Sequence, residues 1–272
     1  MVGALLKALS IILIVIVLLF LLSLVGFKIY IKRDEKEKKK APGNGPEYNL
    51  KNIPTLSDSP LKGKRILFLG SSVTKGASSC NVSFVEYLAN KHGIVADKKA
   101  VNGTTLVDSF SILSFFEEGR GDSYVTRLKE VDTSTHYDAV VVQLSTNDAS
   151  KGKELGLVSE SYEGSDFDTS TITGAIEYII WYVKTTWNCP IVFYNGSYYK
   201  SEAYSKMVTR LSELKDKWNI GVIDLYSDKS FNDISLDTYN LYMFDHIHPT
   251  KAGYLLWWIP KFKSSLIETF GN

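Results

Sequence analysis

The chain has 272 residues, a formal net charge of +1, 44% hydrophobic and 22% charged residues. That balance is ordinary for a globular protein and excludes a disordered chain or a strongly basic nucleic-acid binder. Two cysteines, Cys80 and Cys189, are too few for a disulfide framework and lack the clustered spacing of a zinc site; they read as unpaired apolar side chains, with a single bridge left open for an oxidising compartment.

Residues 8–27 carry no charge. About twenty apolar residues at ~1.5 Å rise cover a hydrocarbon core about 30 Å thick. No A-x-A cleavage pattern follows, and no cysteine at the end of the run offers a lipid attachment point. Residues 1–30 are therefore expected to form an uncleaved, single-pass transmembrane anchor. Sidedness reads two ways. Lys28, Lys32, Arg33, Lys36, Lys38, Lys39 and Lys40 follow the helix, which by the positive-inside rule favours a cytoplasmic domain. Asp34, Glu35 and Glu37 dilute that run, and one helix joined to one soluble domain resembles an exported signal-anchor, so the expectation is an extracytoplasmic domain. Residues 31–61 are polar and contain Pro42, Gly43, Gly45, Pro46, Pro54 and Pro60, which predicts a flexible linker.

From residue 62 to 272, apolar runs alternate with amphipathic stretches, the pattern of a parallel sheet covered by helices. Strands are expected at 65–69, 94–101, 139–144, 191–194 and 221–225, and helices at 84–92, 107–118, 124–131, 172–187, 202–218 and 251–270. Three strands end in turns rich in Gly, Ser or Asn: Gly70-Ser71-Ser72, Asn102-Gly103-Thr104 and Ser145-Thr146-Asn147-Asp148. In open α/β sheets, ligands bind beyond such carboxyl ends.

Acyl transfer through serine needs a nucleophile, a base, a group that orients the base, and donors for the oxyanion. Ser72 lies in the turn after the first strand, and Asp245-His246-Ile247-His248 supplies a carboxylate and an imidazole close together. A Gly-Ser-Ser turn alone is usually only a turn, and Asn147-Asp148 alone is usually a helix cap. Their joint occurrence at strand ends gives them weight. The alternating His246 and His248 lack a nearby third ligand, so no metal site is expected. No Gly-Lys-Ser/Thr phosphate loop and no G-x-S-x-G elbow is present, and no cofactor is called for.

Taken together, Gly70-Ser71-Ser72, Gly103, Ser145-Thr146-Asn147-Asp148 and Asp245-x-x-His248 resemble, in order and spacing, the four blocks of the SGNH or GDSL hydrolases. The resemblance implies a three-layer α/β/α, flavodoxin-like domain with a mostly parallel sheet. It makes Ser72 the nucleophile, His248 the base and Asp245 its orienting carboxylate, and it places the oxyanion hole at the amides of Ser72 and Gly103 and the side chain of Asn147. Two positions depart from the family pattern: Ser71 stands where an aspartate is usual, and Ser145 where a glycine opens the third block. The adjacent Ser71 and Ser72 leave two hydroxyls to choose between, and the G-x-S register selects Ser72. The acidic insertion 149–169 is expected as a rim or lid. The expected substrate is a carboxylic ester, foremost an O-acetyl group on carbohydrate. A lipid ester, acyl transfer by the same triad, and a non-catalytic binding module are the alternatives.

Overall fold

The computed structural model describes residues 2–108 and 123–271. The helix expected at 107–118 lies almost wholly outside them. The described residues divide into two units, 1–40 and 41–272. The first is a single helix, α1 (Val2–Lys40), most of whose apolar side chains from Leu9 to Ile31 are exposed. Leu9–Lys40 is long and apolar enough to cross a membrane, with an 18-residue stretch of mean hydropathy 3.2, none of it buried. The helix continues through the charged residues after 28 because Lys and Glu are good helix formers, and Lys38 pairs with Asp34 one turn away.

The second unit contains a five-stranded, all-parallel sheet in the order β2-β1-β3-β4-β5. Its strands are β1 (Arg65–Gly70), β2 (Val95–Ala100), β3 (Ala139–Gln143), β4 (Ile191–Tyr194) and β5 (Gly221–Ile223). In register, Ile66–Leu69 of β1 lie beside Ala139–Val142 of β3. The helices are α2 (Ser72–Lys75), α3 (Phe84–His92), α4 (Tyr124–Lys129), α5 (Thr146–Ser150), α6 (Ile172–Thr186), α7 (Glu202–Trp218), α8 (Lys229–Asn232), α9 (Leu236–Tyr242) and α10 (Ile259–Gly271), the last preceded by a π-helical segment at Gly253–Trp258. This is the parallel sheet covered by helices that the alternating pattern predicted, in the α/β/α arrangement that the family resemblance implied.

Strand side chains alternate between two faces. Leu67, Leu69, Val140, Val142 and Phe193 pack with Ile176, Ile180 and Leu211 of α6 and α7. Ile66, Phe68, Val141, Val192 and Tyr194 pack with Phe84, Trp258 and Phe262 on the other side. Burial on both faces explains why Val140-Val141-Val142 reads as a continuous apolar run rather than an alternating one. Each such side chain contributes roughly 1.5–3 kcal/mol on burial.

Strand order reverses at β1, which has β2 on one side and β3 on the other. The crevice between the carboxyl ends of β1 and β3 is the expected ligand position for such a sheet. The first strand delivers Ser72 to that edge and the third delivers Asn147.

Two stretches differ from expectation. Within 31–61, the part after Lys40 is a strap on the folded unit rather than a free linker. Pro42 and Pro46 open short 3₁₀ turns, Tyr48, Leu50 and Ile53 pack against the core, and the Asn44 side chain is buried. Enough apolar surface was interleaved with the prolines to hold the segment down. The insertion 149–169 is also pinned. Ser159 N–H donates to Glu177 of α6, Lys217 of α7 donates to Ser159 O and Ser161 O, and Arg210 donates to Gly156 O. It lies along α6 and α7, and its first residues, Ala149 to Leu155, border a cavity beside α5.

Candidate active site

Ser72 is the first residue of α2, directly after β1, and its N–H is one of the orphan donors of a helix start. Its Oγ lies 2.8 Å from His248 Nε2. On the far side of the ring, Nδ1 is 2.8 and 3.0 Å from the two oxygens of Asp245. A carboxylate only accepts, so the ring proton belongs on Nδ1, and Nε2 is left as an acceptor for the serine hydroxyl.

The loop carrying this pair holds its own shape. Asp245 Oδ1 also accepts the amides of Ile247 and His248, each at 2.8 Å. Met243 and Pro249 form an antiparallel bridge that closes the loop. Burial pushes the Asp245 carboxyl up, but the His248 ring and these two amides outweigh it and hold it at about 2. Asp245 therefore stays ionised opposite the imidazole, as a partner that must stabilise imidazolium requires.

The two adjacent serines face different ways. Ser71 is fully buried, its N–H donates to Gln143 Oε1 at 2.9 Å, and its Oγ approaches the same oxygen at 3.4 Å. The hydroxyl facing the imidazole is that of Ser72. Ser145 caps α5 by accepting Asn147 N–H, and its Oγ donates to Thr104 O. The two departures from the family pattern thus serve the turns that flank the site.

Gly103 has φ +74°, a left-handed backbone that favours glycine. Asn147 Nδ2 donates to Thr104 O at 2.9 Å, tying α5 to the Gly103 loop with one of its two amide hydrogens. Lys151 Nζ donates to Gly103 O at 2.7 Å and orients that peptide. Buried Arg127 of α4 joins this loop to the end of β1, donating to Gly70 O and Thr104 Oγ1. Ser72, His248 and Asp245 are thus in direct contact, while Gly103 and Asn147 are joined through Thr104.

Two supporting residues, Gln143 and Arg127, were not singled out in the sequence, and a third, Asp148, appeared there only as the last residue of a motif. Gln143, at the end of β3, accepts from Ser71 N–H and from Thr74 Oγ1 at 2.8 Å. Its one signal was an amide closing an otherwise apolar strand. Asp148, fully buried, accepts Leu106 N–H at 2.8 Å and Val107 N–H at 3.4 Å. Burial pushes its carboxyl up to about 6 against those hydrogen bonds. Arg127 looked like any surface arginine of an amphipathic helix. Both cysteines are free thiols.

An imidazole held by a carboxylate and facing a serine hydroxyl can take that proton as the oxygen attacks a carbonyl. The family and the fold are shared with known proteins. The GDSL-like lipase/acylhydrolase family matches residues 68–256. No curated protein sequence matches the chain. Among solved structures, a protein from Lactobacillus plantarum is similar at 18% identity and TM-score 0.59, covering 77% of this chain and 97% of its own. An acetyl xylan esterase is similar at 14% identity and TM-score 0.53, covering 74% and 99%. A family two carbohydrate esterase from Clostridium thermocellum, solved with cellohexaose, is similar at 16% identity and TM-score 0.52, covering 79% and 67%. At these identities the likeness shows the shared fold. Blocks in the right order, the fold and the extent of the family match lead to one conclusion: the chain belongs to the GDSL-like lipase/acylhydrolase family, and is an SGNH-type ester hydrolase.

Proposed function

We propose that the protein is a membrane-anchored serine esterase that removes O-acetyl groups from carbohydrate through an acyl-enzyme on Ser72. The observation that carries this reading is the hydrogen-bonded chain Ser72 Oγ, His248 Nε2 and Nδ1, Asp245. Ser72 Oγ attacks the ester carbonyl while its proton passes to His248 Nε2. The oxyanion is met by the amides of Ser72 and Gly103 and the side chain of Asn147. Collapse breaks the ester C–O bond, and the alcohol leaves with the proton held on His248. Water then gives a proton to the same nitrogen as it attacks the acyl carbon, acetate departs, and Ser72 recovers its proton.

A glycan is supported by the aromatic residues that follow β4. The Tyr199 ring lies 5.7 Å from that of His246, and its neighbour Tyr198 lines an open cavity of about 570 Å³ with Tyr226, Lys229, Ser230, Asn232 and Asp233. Aromatic faces interleaved with polar groups suit a sugar ring. Anchoring is supported by the length and exposed apolar surface of α1. The domain is assigned to the extracytoplasmic side, where envelope polysaccharide lies.

The test compares wild type, Ser71→Ala and Ser72→Ala in labelling by a fluorophosphonate probe and in acetate release from acetylated glycans. Both signals should vanish in Ser72→Ala and persist in Ser71→Ala. Labelling that survives loss of the Ser72 hydroxyl refutes the assignment. A C-terminal reporter active only outside the membrane reads the sidedness, and a silent but intact fusion refutes it.

A further inference from the structure

The nucleophile and the base come from opposite ends of the domain, and one side chain outside both loops bridges the segments that follow them. Asn44 sits in the strap after the apolar helix, at the end of the turn Pro42–Asn44, and is 6% exposed. Its Nδ2 donates to Ser78 O at 2.7 Å, and its Oδ1 accepts Lys251 N–H at 2.9 Å.

Ser78 follows Ala77, whose N–H donates to Ser72 O at 2.9 Å. One contact of Asn44 therefore bears on the turn that holds the nucleophile. Lys251 stands three residues after His248, and Thr250 between them is bonded back to Leu241 O and Tyr242 O. The other contact therefore bears on the base of the Asp245–His248 loop. The fit is close at this point, because a Cβ on Gly43 would overlap Leu241 O and Thr250 Oγ1. Lys251 Nζ also donates to Asn49 Oδ1, adding a second grip by the strap. A parallel bridge, Tyr254 Oη to Val73 O, joins the same two sides from within the domain.

We propose that Asn44 is a positioning residue for the Ser72–His248 pair, so that the turn at Pro42–Asn44 is part of the active-site scaffold. The proposal rests on the reading of Ser72 and His248 as the reacting pair. An amide suits this role because it offers a donor to one loop and an acceptor to the other at a fixed separation. Both partners are main-chain groups, so what Asn44 sets is the spacing of the two loops. A displacement of about 1 Å between reacting groups costs on the order of a hundredfold in rate, and Tyr254 would limit the displacement when Asn44 is removed.

The experiment uses the full chain in detergent with an activated acetyl ester and a fluorophosphonate probe. Asn44→Ala should lower kcat and the labelling rate about tenfold while KM changes by less than about twofold, since Asn44 acts on spacing and not on binding. Asn44→Asp keeps the acceptor for Lys251 but sets a second acceptor against Ser78 O, and should lower kcat at least as far as Asn44→Ala. Tyr87→Phe is the structural control. Tyr87 Oη donates to Tyr48 O, which holds the strap without touching either catalytic loop. That variant should lose thermal stability and keep kcat. Folded Asn44 variants with wild-type kcat overturn the proposal, as does a kcat loss that Tyr87→Phe reproduces at equal loss of stability. Failure of both Asn44 variants to fold would make the residue a stability element and overturn it too. Ser72→Ala separates the two readings: full activity there defeats the site itself, whereas an inactive Ser72→Ala beside a fully active Asn44→Ala defeats only the role of the strap.

Discussion

Replacing Gln143 by leucine tests how the nucleophile turn is held. The side chain is buried at the end of β3, and the atom facing Ser71 N–H must be the amide oxygen, since a peptide N–H can only donate. The same oxygen receives Thr74 Oγ1 at 2.8 Å, and that hydroxyl lies 2.6 Å from Tyr194 Oη. Leucine is nearly isosteric, so it opens little cavity but strands the Ser71 amide and one hydroxyl of the Thr74–Tyr194 pair. Each stranded buried group costs about 1–3 kcal/mol, and the apolar gain of leucine offsets part of this, leaving about 3 kcal/mol. For a domain of this size that is a fall of roughly 6–12 °C in melting temperature. Ser71 directly precedes Ser72, so its released peptide should also slow acylation about tenfold through misplacement of the hydroxyl. Urea denaturation measures the first effect and fluorophosphonate labelling kinetics the second. A Gln143→Leu protein with an unmoved urea midpoint and a wild-type labelling rate would refute the claim that this amide holds the turn.

Asn147→Ala should lower kcat by about a hundredfold or more with KM little changed, as loss of an oxyanion donor does; near-normal turnover would remove Asn147 from the mechanism. Glu177 is fully buried and accepts from Lys217 Nζ, Trp218 Nε1 and Ser159 N–H, so Glu177→Ala should cost about 3–5 kcal/mol in urea denaturation while probe labelling of the folded fraction stays at the wild-type rate. The Asp148 carboxyl is raised from 3.8 to about 6, so its protonated form is favoured by folding. The stability it gives is full below pH 3.8 and is lost as pH rises through 6, a cost of about 3 kcal/mol. Asp148→Asn should flatten that part of the stability profile between pH 4 and 7, and a slope identical to wild type would count against it. Asp245, lowered from 3.8 to about 2, has the opposite sign: its contribution is present above pH 3.8 and lost as pH falls toward 2. Its side chain is 40% exposed, so solvent screening limits this to about 1 kcal/mol, read as the difference in acid denaturation between wild type and Asp245→Asn.

What the sequence disclosed, and what it hid, follows from the range of each interaction. Strands such as β3 were legible because Val140-Val141-Val142 must be buried on both faces, a constraint written in consecutive residues. The contact between Asp245 and His248 was legible because the two stand three positions apart and the loop folds on its own amides. Ser71 and Ser72 were separable only by register until burial turned one toward Gln143 and the other toward His248. The strap went unrecognised because its proline and glycine content describes a linker, while the contacts that hold it reach Ser78 and Lys251, far along the chain. Local composition gives no account of such partners. The same holds for Gln143 and Arg127, each an ordinary residue in its own segment whose polar atoms meet turns from other strands. The groups proposed to react lie in short motifs because chemistry fixes their identity. The groups that hold those motifs at reacting distance are fixed by geometry alone, and any side chain with the right donor and acceptor at the right place will serve.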